Sequence, residues 1–263
     1  MSYYARHPYD QPLGEIRMSG SSGVFLIGGG SDESASDAVY GPFLRAASAA
    51  LPRVLCVLVD EGNGAELFAR YDTLLRKAGD CTPVPLLLPL GEPFEPGALT
   101  ADMDALLVCG GLTPAYREAF GGCLDTLPAL LAERGVPYAG FSAGAVIAAR
   151  EAVLGGWLVD GVAVCPPDTA EDLEEVEVRS GLGLVPFGVD VHAAQWGTLA
   201  RLAAVVAGGR LAHGVGIDEN TVVRVADGRA YVAGLGRAHS VRPAPGAGVL
   251  VRSYGAGDSF PAA

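Results

Sequence analysis

One serine of this chain lies in a sequence context that points directly to chemistry. Residues 138–145 read Tyr-Ala-Gly-Phe-Ser-Ala-Gly-Ala, in which an apolar strand leads into Gly-x-Ser-x-Gly and then into small residues that favour a helix. A sharp strand-to-helix turn pushes the serine out of the sheet and crowds the backbone, which is why small residues flank it. The pattern predicts Ser142 as a nucleophile, with the N–H of Ala143 placed to bind an oxyanion. The simpler alternative is a serine that only caps the helix.

A catalytic serine requires a base, and the chain offers four histidines. His7 is in the N-terminal segment, and His213 and His239 have ordinary loop residues around them. His192 follows the strand-like run 188–191, at the kind of position where α/β enzymes present active-site groups. A lone histidine is more often structural than catalytic, but His192 is the best candidate for the base.

A third group should orient the imidazole and stabilise its charged form. Asp190, Asp218 and Glu219 are the nearby candidates, and the sequence leaves the choice open. A second oxyanion donor could come from Gly110 or Gly111, because two glycines after a buried strand let a backbone N–H approach a ligand closely. The triplet at residues 28–30 lacks G-x-G-x-x-G spacing, so it does not predict a nucleotide site.

Short apolar runs that alternate with helical patterns would position these residues. The runs are 24–27, 54–59, 83–88, 105–109 and 136–141, and the helical candidates are 42–50, 65–78, 113–120, 124–134 and a helix from 143 onward. Continuous apolar runs of this length are typical of parallel strands buried on both faces. The alternation predicts a doubly wound α/β fold.

The later part of the chain has a different character. An acidic cluster at 168–177 indicates a solvated loop or sheet edge, and residues 193–207 have a helical pattern. Two strand-like runs, 221–226 and 229–232, flank Asp227-Gly228 and predict a C-terminal β-hairpin with a type I′ turn. We expect an N-terminal arm at 1–22 and a single α/β domain at 23–263.

Composition excludes several classes of protein. The chain has 18 basic and 30 acidic residues among 263, and the resulting charge of −12 argues against a nucleic-acid partner. Its five cysteines show no metal-ligand spacing and are typical of a reducing compartment, so we expect no metal, no cofactor and a cytoplasmic protein. No run is apolar enough for a membrane span, and no secretory signal is evident. A homodimer is the default expectation.

The ordered set of motifs resembles peptidase family S51, which contains dipeptidase E and cyanophycinase. The resemblance runs over residues 24–232 and is carried by four segments. The first three are 25–30 with its glycine turn, 109–111 with its glycine pair, and 140–145 with Gly-Phe-Ser-Ala-Gly-Ala. The fourth begins at 189–192, includes Arg201, and ends at 216–221.

This resemblance implies a serine peptidase that acts on short peptides and a flavodoxin-like sheet of the class I glutamine amidotransferase type. It further implies Ser142 as nucleophile, His192 as base, Glu219 as third member, and Gly111 with Ala143 as the oxyanion hole. Arg201 is the only residue of the cyanophycinase basic set that the chain retains, and Thr113 continues the glycine pair as in dipeptidase E. The resemblance therefore implies that Arg201 and Thr113 bind substrate.

Two other functions fit the same scaffold. The first is a catalytically silent binding or regulatory domain, because Val191, Ala193 and Trp196 replace residues usual around the cyanophycinase histidine. The second is a glutamine amidotransferase-like domain, although that chemistry uses a cysteine where this chain has Ser142.

Overall fold

The chain forms a mixed α/β fold with several sheets. The computed structural model describes residues 23–263, so the predicted arm at 1–22 lies outside the described residues. The α-helices of this part are α1 Ser36–Ala46, α2 Gly64–Ala78, α3 Thr113–Ala119, α4 Thr126–Arg134, α5 Ala143–Ile147 and α6 Leu199–Ala207.

The strands fall into two halves along the chain. The first half contains β1 Val24–Ile27, β2 Arg53–Asp60, β3 Thr82–Pro89, β4 Ala105–Val108, β5 Tyr138–Phe141, β6 Glu151–Gly155, β7 Leu158–Val159 and β8 Val162–Ala163. The second half contains β9 Glu177–Ser180, β10 Gly188–Val191, β11 Gly214–Ile217, β12 Thr221–Ala226, β13 Arg229–Gly234, β14 Ala238–Pro243, β15 Val249–Tyr254 and β16 Ser259–Pro261.

Two large sheets dominate the fold. The eight-stranded sheet has the order β16-β13-β12-β1-β5-β4-β2-β3, and its β1, β5, β4, β2 and β3 are parallel. The six-stranded sheet has the order β15-β14-β11-β10-β6-β9, in which β6, β10 and β11 are parallel. Strands β7 and β8 form a small separate pair. Strands β12 and β13 form an antiparallel hairpin whose turn residues, Asp227 and Gly228, both have positive φ.

The core is layered around these sheets. Side chains of β2 alternate between faces, so that Leu55 and Val57 join one apolar cluster while Val54 and Cys56 join another. Helices α1 and α2 cover one face of the eight-stranded sheet, and α3 and α5 lie between it and the six-stranded sheet. Helix α4 adds Leu127 and Leu131 to the apolar cluster on that side. Helix α6 covers the outer face of the six-stranded sheet. Helix α5 is therefore enclosed on both sides.

Three predicted elements differ from the observed ones. Helix α1 covers 36–46 rather than 42–50, because a 3₁₀ turn capped by Asp32 starts it early and Ala47 is extended. The helix predicted at 193–207 begins only at Leu199, after a turn at 192–198. Strand β3 is an edge strand with exposed side chains such as Leu87, so it is not buried on both faces as its apolar run suggested.

No helix within residues 23–263 combines the length and the apolar character that crossing a membrane requires.

Candidate active site

Ser142 lies at the sharp turn between β5 and α5. Its φ of 49° and ψ of −111° are unusual for a residue with a side chain, and they reflect local strain. A Cβ on Gly140 would clash with the carbonyl of Gly144, and a Cβ on Gly144 would clash with the carbonyl of Val108. The two glycines of Gly-x-Ser-x-Gly are therefore required by close backbone packing around the serine.

The structure brings Ser142, His192 and Glu219 into one hydrogen-bonded line. The Oγ of Ser142 lies 2.9 Å from Nε2 of His192, and Nδ1 of His192 lies 2.8 Å from Oε1 of Glu219. In the tautomer with Nδ1 protonated, the imidazole donates to Glu219 and accepts from the serine hydroxyl. That is the arrangement a base needs to take the hydroxyl proton.

The glycine turn after β1 ties these segments together. The backbone N–H of His192 donates to the carbonyl of Gly28 at 3.0 Å, and that of Asn220 donates to the carbonyl of Gly29 at 2.7 Å. A Cβ on Gly29, whose φ is 103°, would clash with the His192 ring. The turn thus holds the histidine and the loop of Glu219, and Gly29 leaves the space that the imidazole occupies.

The other two acids are engaged elsewhere. Asp190 is fully buried and forms a two-pronged ion pair with Arg201, with distances of 2.9 and 2.8 Å. Asp218 accepts hydrogen bonds from the backbone N–H groups of Ala194 and Arg237. The structure places Glu219 beside His192 and neither aspartate there.

Arg201 does not contact the cavity above Ser142. Its side chain is 4 % exposed, and besides Asp190 it donates to the carbonyls of Gly156 and Thr169. The implied role in substrate binding does not fit this placement, because the guanidinium is buried and already paired. Thr113 is also buried, and its backbone N–H donates to Glu171 at 2.8 Å. Nor does Thr113 line the cavity.

Two tyrosine hydroxyls bind the backbone of Gly110, shortly after β4. The hydroxyl of Tyr71 accepts from the N–H of Gly110 at 2.9 Å, and the hydroxyl of Tyr116 donates to the carbonyl of Gly110 at 2.9 Å. That carbonyl and the N–H of Gly111 belong to one planar peptide unit and point in opposite directions. Within residues 23–263, the N–H groups of Gly111 and Ala143 have no hydrogen-bond acceptor.

Burial sets the protonation states around the serine. It lowers the pKa of His192, although the hydrogen bond and charge of Glu219 act in the opposite direction. The imidazole is therefore neutral at pH 7 and able to accept a proton. Burial raises the pKa of Tyr71 and Tyr116, so both hydroxyls keep their protons.

A cavity of about 870 Å³ opens above Ser142. Five carboxylate side chains line it, while no lysine or arginine is among its lining residues. The five are Glu61, Asp168, Glu171, Asp172 and Glu174. Four of them come from the acidic segment 168–177, which the sequence indicated to be a solvated loop or sheet edge. Asp168, Asp172 and Glu174 are exposed in a loop, and the segment ends at Glu177 in the edge strand β9, as the sequence indicated. The same loop also forms a wall of the cavity, and Glu171 is buried enough that its pKa is raised.

The described residues, 23–263, contain no cluster of three or more His, Cys, Asp or Glu side chains that could hold a metal ion. All five cysteines are free, and Cys109 is fully buried in the core.

Sequence reasoning missed three residues of this site. Gly29 lies against the imidazole, Tyr116 clamps the peptide before Gly111, and Trp196 stacks on His192. The only signal for Gly29 was the glycine triplet itself. Tyr116 carried no signal, and Trp196 was noted only as a replacement near the histidine. Their contacts depend on how α3 and the turn after β10 fold.

Comparison with known proteins gives two similarities. The family model for peptidase family S51 matches residues 101–233. A solved structure of a protein from Listeria monocytogenes EGD-e, provisionally named peptidase E, aligns with 81 % of this chain and 98 % of its own. The two are 16 % identical and have a TM-score of 0.52, so they share a fold. No curated protein matches the chain.

Proposed function

The chain belongs to peptidase family S51 and is a serine peptidase, and from this we propose that it hydrolyses short peptides through Ser142, His192 and Glu219. The observation that carries the proposal is the hydrogen-bonded line from the serine hydroxyl through the imidazole to the glutamate. The strained turn that exposes Ser142 supports it, because a serine that only capped a helix would not need such a backbone. Ser142 also makes no side-chain cap to α5.

Acylation begins when the Ser142 oxygen attacks the peptide carbonyl carbon. Nε2 of His192 takes the hydroxyl proton as the C–O bond forms, and Glu219 stabilises the resulting imidazolium. The tetrahedral intermediate then collapses. Its C–N bond breaks, and His192 returns the proton to the leaving amine, so that an acyl-enzyme and a free amine remain.

Deacylation repeats these steps with water. His192 removes a proton from the water as its oxygen attacks the ester carbonyl, and the second tetrahedral intermediate releases the carboxylic acid. The proton goes back to the oxygen of Ser142, which restores the free enzyme.

The N–H groups of Gly111 and Ala143 are suited to bind the oxyanion in both steps. They are free of acceptors in the described residues 23–263, and Ala143 directly follows the nucleophile. Tyr116 supports this role, because its bond to the Gly110 carbonyl sets the direction in which the Gly111 N–H points.

The cavity favours short peptides and disfavours acidic ones. A volume of about 870 Å³ suits a ligand of a few residues rather than a folded chain. Its carboxylate lining attracts the α-ammonium of a free N-terminus but repels an aspartyl side chain. We therefore expect neutral and basic dipeptides to be cleaved faster than Asp-X dipeptides.

The alternatives are less well supported. A glutamine amidotransferase-like domain would need a thiol at the turn, and Cys109 is buried in the core with a raised pKa. A catalytically silent binding domain would not require His192 to be hydrogen-bonded to both Ser142 and Glu219. The flavodoxin-like arrangement of the parallel strands and a homodimer remain predictions.

The test is a dipeptide panel containing Asp-X, Glu-X, β-Asp-Arg and neutral pairs. Ser142→Ala should abolish hydrolysis, whereas Ser48→Ala, which changes an exposed serine outside the cavity, should leave it unchanged. Full hydrolysis by purified Ser142→Ala would end the triad assignment. If the unmodified protein neither hydrolyses any dipeptide nor is labelled covalently by a fluorophosphonate, a catalytically silent binding domain would be favoured.

A further inference from the structure

The indole of Trp196 lies flat on the imidazole of His192. The two ring centroids are 3.8 Å apart and the ring planes differ by 8°. This is a face-to-face contact, which neutral aromatic rings favour less than offset or edge-to-face arrangements. A positively charged ring, however, is attracted to the electron-rich face of an indole.

Local backbone geometry builds this stack. Trp196 follows His192 by four residues, and its N–H donates to the carbonyl of His192 at 2.8 Å, which closes a single helical turn. Thr198 ties the end of the turn to the strand by donating from Oγ1 to the carbonyl of Val191 at 2.6 Å. The turn therefore delivers the indole to the imidazole face, and the remaining 39 % of Trp196 is exposed at the cavity.

The stack completes the set of contacts around the imidazole. Ser142 and Glu219 bond its two nitrogens, and the backbone of Gly29 lies close enough to exclude any side chain there. Two further charges act on the ring, Asp190 from β10 and Arg201 from α6, and they oppose each other. Trp196 contacts the face of the ring rather than its nitrogens, and an indole face interacts more strongly with a charged ring than with a neutral one.

We propose that Trp196 is a positioning residue that keeps the His192 ring in line with Ser142 and stabilises the imidazolium formed during proton transfer. This inference rests on the proposed function for its catalytic consequence, while the stack itself does not depend on it. An indole face interacts more strongly with the imidazolium than with the neutral ring, so the contact strengthens as the transition state is approached.

Kinetics give the first test. Trp196→Leu should lower kcat/KM by about 3- to 30-fold, the range expected for loss of one cation–π contact. Trp196→Phe should recover most of the activity, because a smaller aromatic face remains. Trp157→Phe changes the only other tryptophan, which does not line the cavity, and should leave kcat/KM unchanged. Equal kcat/KM for Trp196→Leu and the unmodified enzyme would overturn the proposal.

A second test separates charge stabilisation from simple packing. In the Trp157→Phe background, Trp196 can be replaced biosynthetically by tryptophans that carry one, two or four fluorine atoms. Fluorine withdraws electron density from the indole face while nearly preserving its shape, so burial of His192 is kept. The pKa of His192 is then followed by NMR through its Cε1 proton, assigned with His192→Gln.

The proposal predicts that the pKa of His192 falls stepwise with fluorination, while the signals of His213 and His239 stay constant as internal controls. An unchanged pKa across the series would overturn the stabilising role. Because this titration uses no substrate, it gives a result even if the enzyme fails to hydrolyse every peptide tested. Failure of the proposed function and failure of this inference are therefore distinguishable.

Discussion

Environment gives three neighbouring acids different roles. Glu219 is partly exposed and bonds the imidazole, Asp218 is bound to backbone N–H groups, and Asp190 is buried against Arg201. Strand β11 ends at Ile217, and Glu219 lies in the turn that follows Asp218, where the two side chains bind different partners. The residue pattern alone left three candidates for the third member of the proposed triad, and the family resemblance implied Glu219. The fold gives the three acids different hydrogen-bond partners.

Removing the charge of Glu219 should disable the base while keeping the fold. In Glu219→Gln the amide can present its N–H₂ group to Nδ1, which favours the tautomer with Nε2 protonated and unable to accept the serine proton. We expect kcat to fall by about 10³- to 10⁴-fold, measured on the best dipeptide of the panel. Glu118→Gln, an exposed change on α3, is the matched control. A loss below about tenfold would argue against Glu219 as the third member.

The pH profile should report the lowered pKa of His192. In the proposed mechanism the neutral imidazole is the active form, and burial keeps it neutral to lower pH than the usual value of about 6.5. We therefore expect kcat/KM to be retained below pH 6.5 and to fall only at more acidic pH. The profile should be recorded at saturating and limiting substrate. An acid limb with its midpoint above pH 6.5 would contradict the buried, neutral base.

The three residues of the proposed triad each lie just after the carboxyl end of a strand. Ser142 follows β5, His192 follows β10, and Glu219 follows β11, so three parallel strands from two sheets present their carboxyl ends to one cavity. The glycine turn after β1 links the sheets by bonding the segments of His192 and Asn220. This convergence is why residues 77 positions apart in the chain can act as one unit.

Tyr116 on α3 should matter through the peptide it holds. Tyr116→Phe removes the donor to the Gly110 carbonyl and leaves the N–H of Val59 without its acceptor. We expect unfolding free energy to fall by about 1–3 kcal/mol and kcat to fall by up to about 10²-fold, with KM nearly unchanged. Tyr40→Phe is the matched control, because the buried Tyr40 hydroxyl has no partner in the described residues. A change in KM alone would contradict an oxyanion role.

The sequence predicted best where one local pattern requires one local structure. Gly-Phe-Ser-Ala-Gly requires a crowded turn, so Ser142 and its flanking strand were evident. The stack of Trp196 on His192 was not evident, because the helical pattern at 193–207 gave no sign of the turn that places Trp196 there. The pairing of Arg201 could not be predicted for a related reason. Nothing in the sequence shows that its guanidinium faces Asp190, eleven residues earlier, instead of the cavity.

At the scale of the whole molecule, α3 and α5 are packed between two sheets, and the candidate active site lies where the sheets converge. The cluster shared by both sheets contains residues of β1, β5, β10 and β11. Helix α6 is attached to the second sheet by an apolar cluster and by the buried pair of Arg201 with Asp190. Asp190 precedes His192 by two residues on the same segment. The packing of α6 on the sheet and the position of His192 therefore depend on one buried ion pair.

Breaking this buried pair should destabilise the whole fold. Arg201→Met leaves Asp190 buried without its partner, and we expect the unfolding free energy in urea to fall by about 3–5 kcal/mol. Arg45→Met, which breaks an exposed pair with Asp37, should cost less than about 1 kcal/mol. Adding Asp190→Asn to Arg201→Met should recover part of the loss. Unchanged stability together with a raised KM would instead return Arg201 to substrate binding.

The most direct test of the central claim is covalent labelling with a fluorophosphonate, followed by peptide mass spectrometry. The account predicts one adduct, on Ser142, which forms at a much lower rate in His192→Gln and Glu219→Gln although both variants stay folded. An adduct on another serine, or labelling of Ser142 that is equally fast in all three proteins, would contradict it.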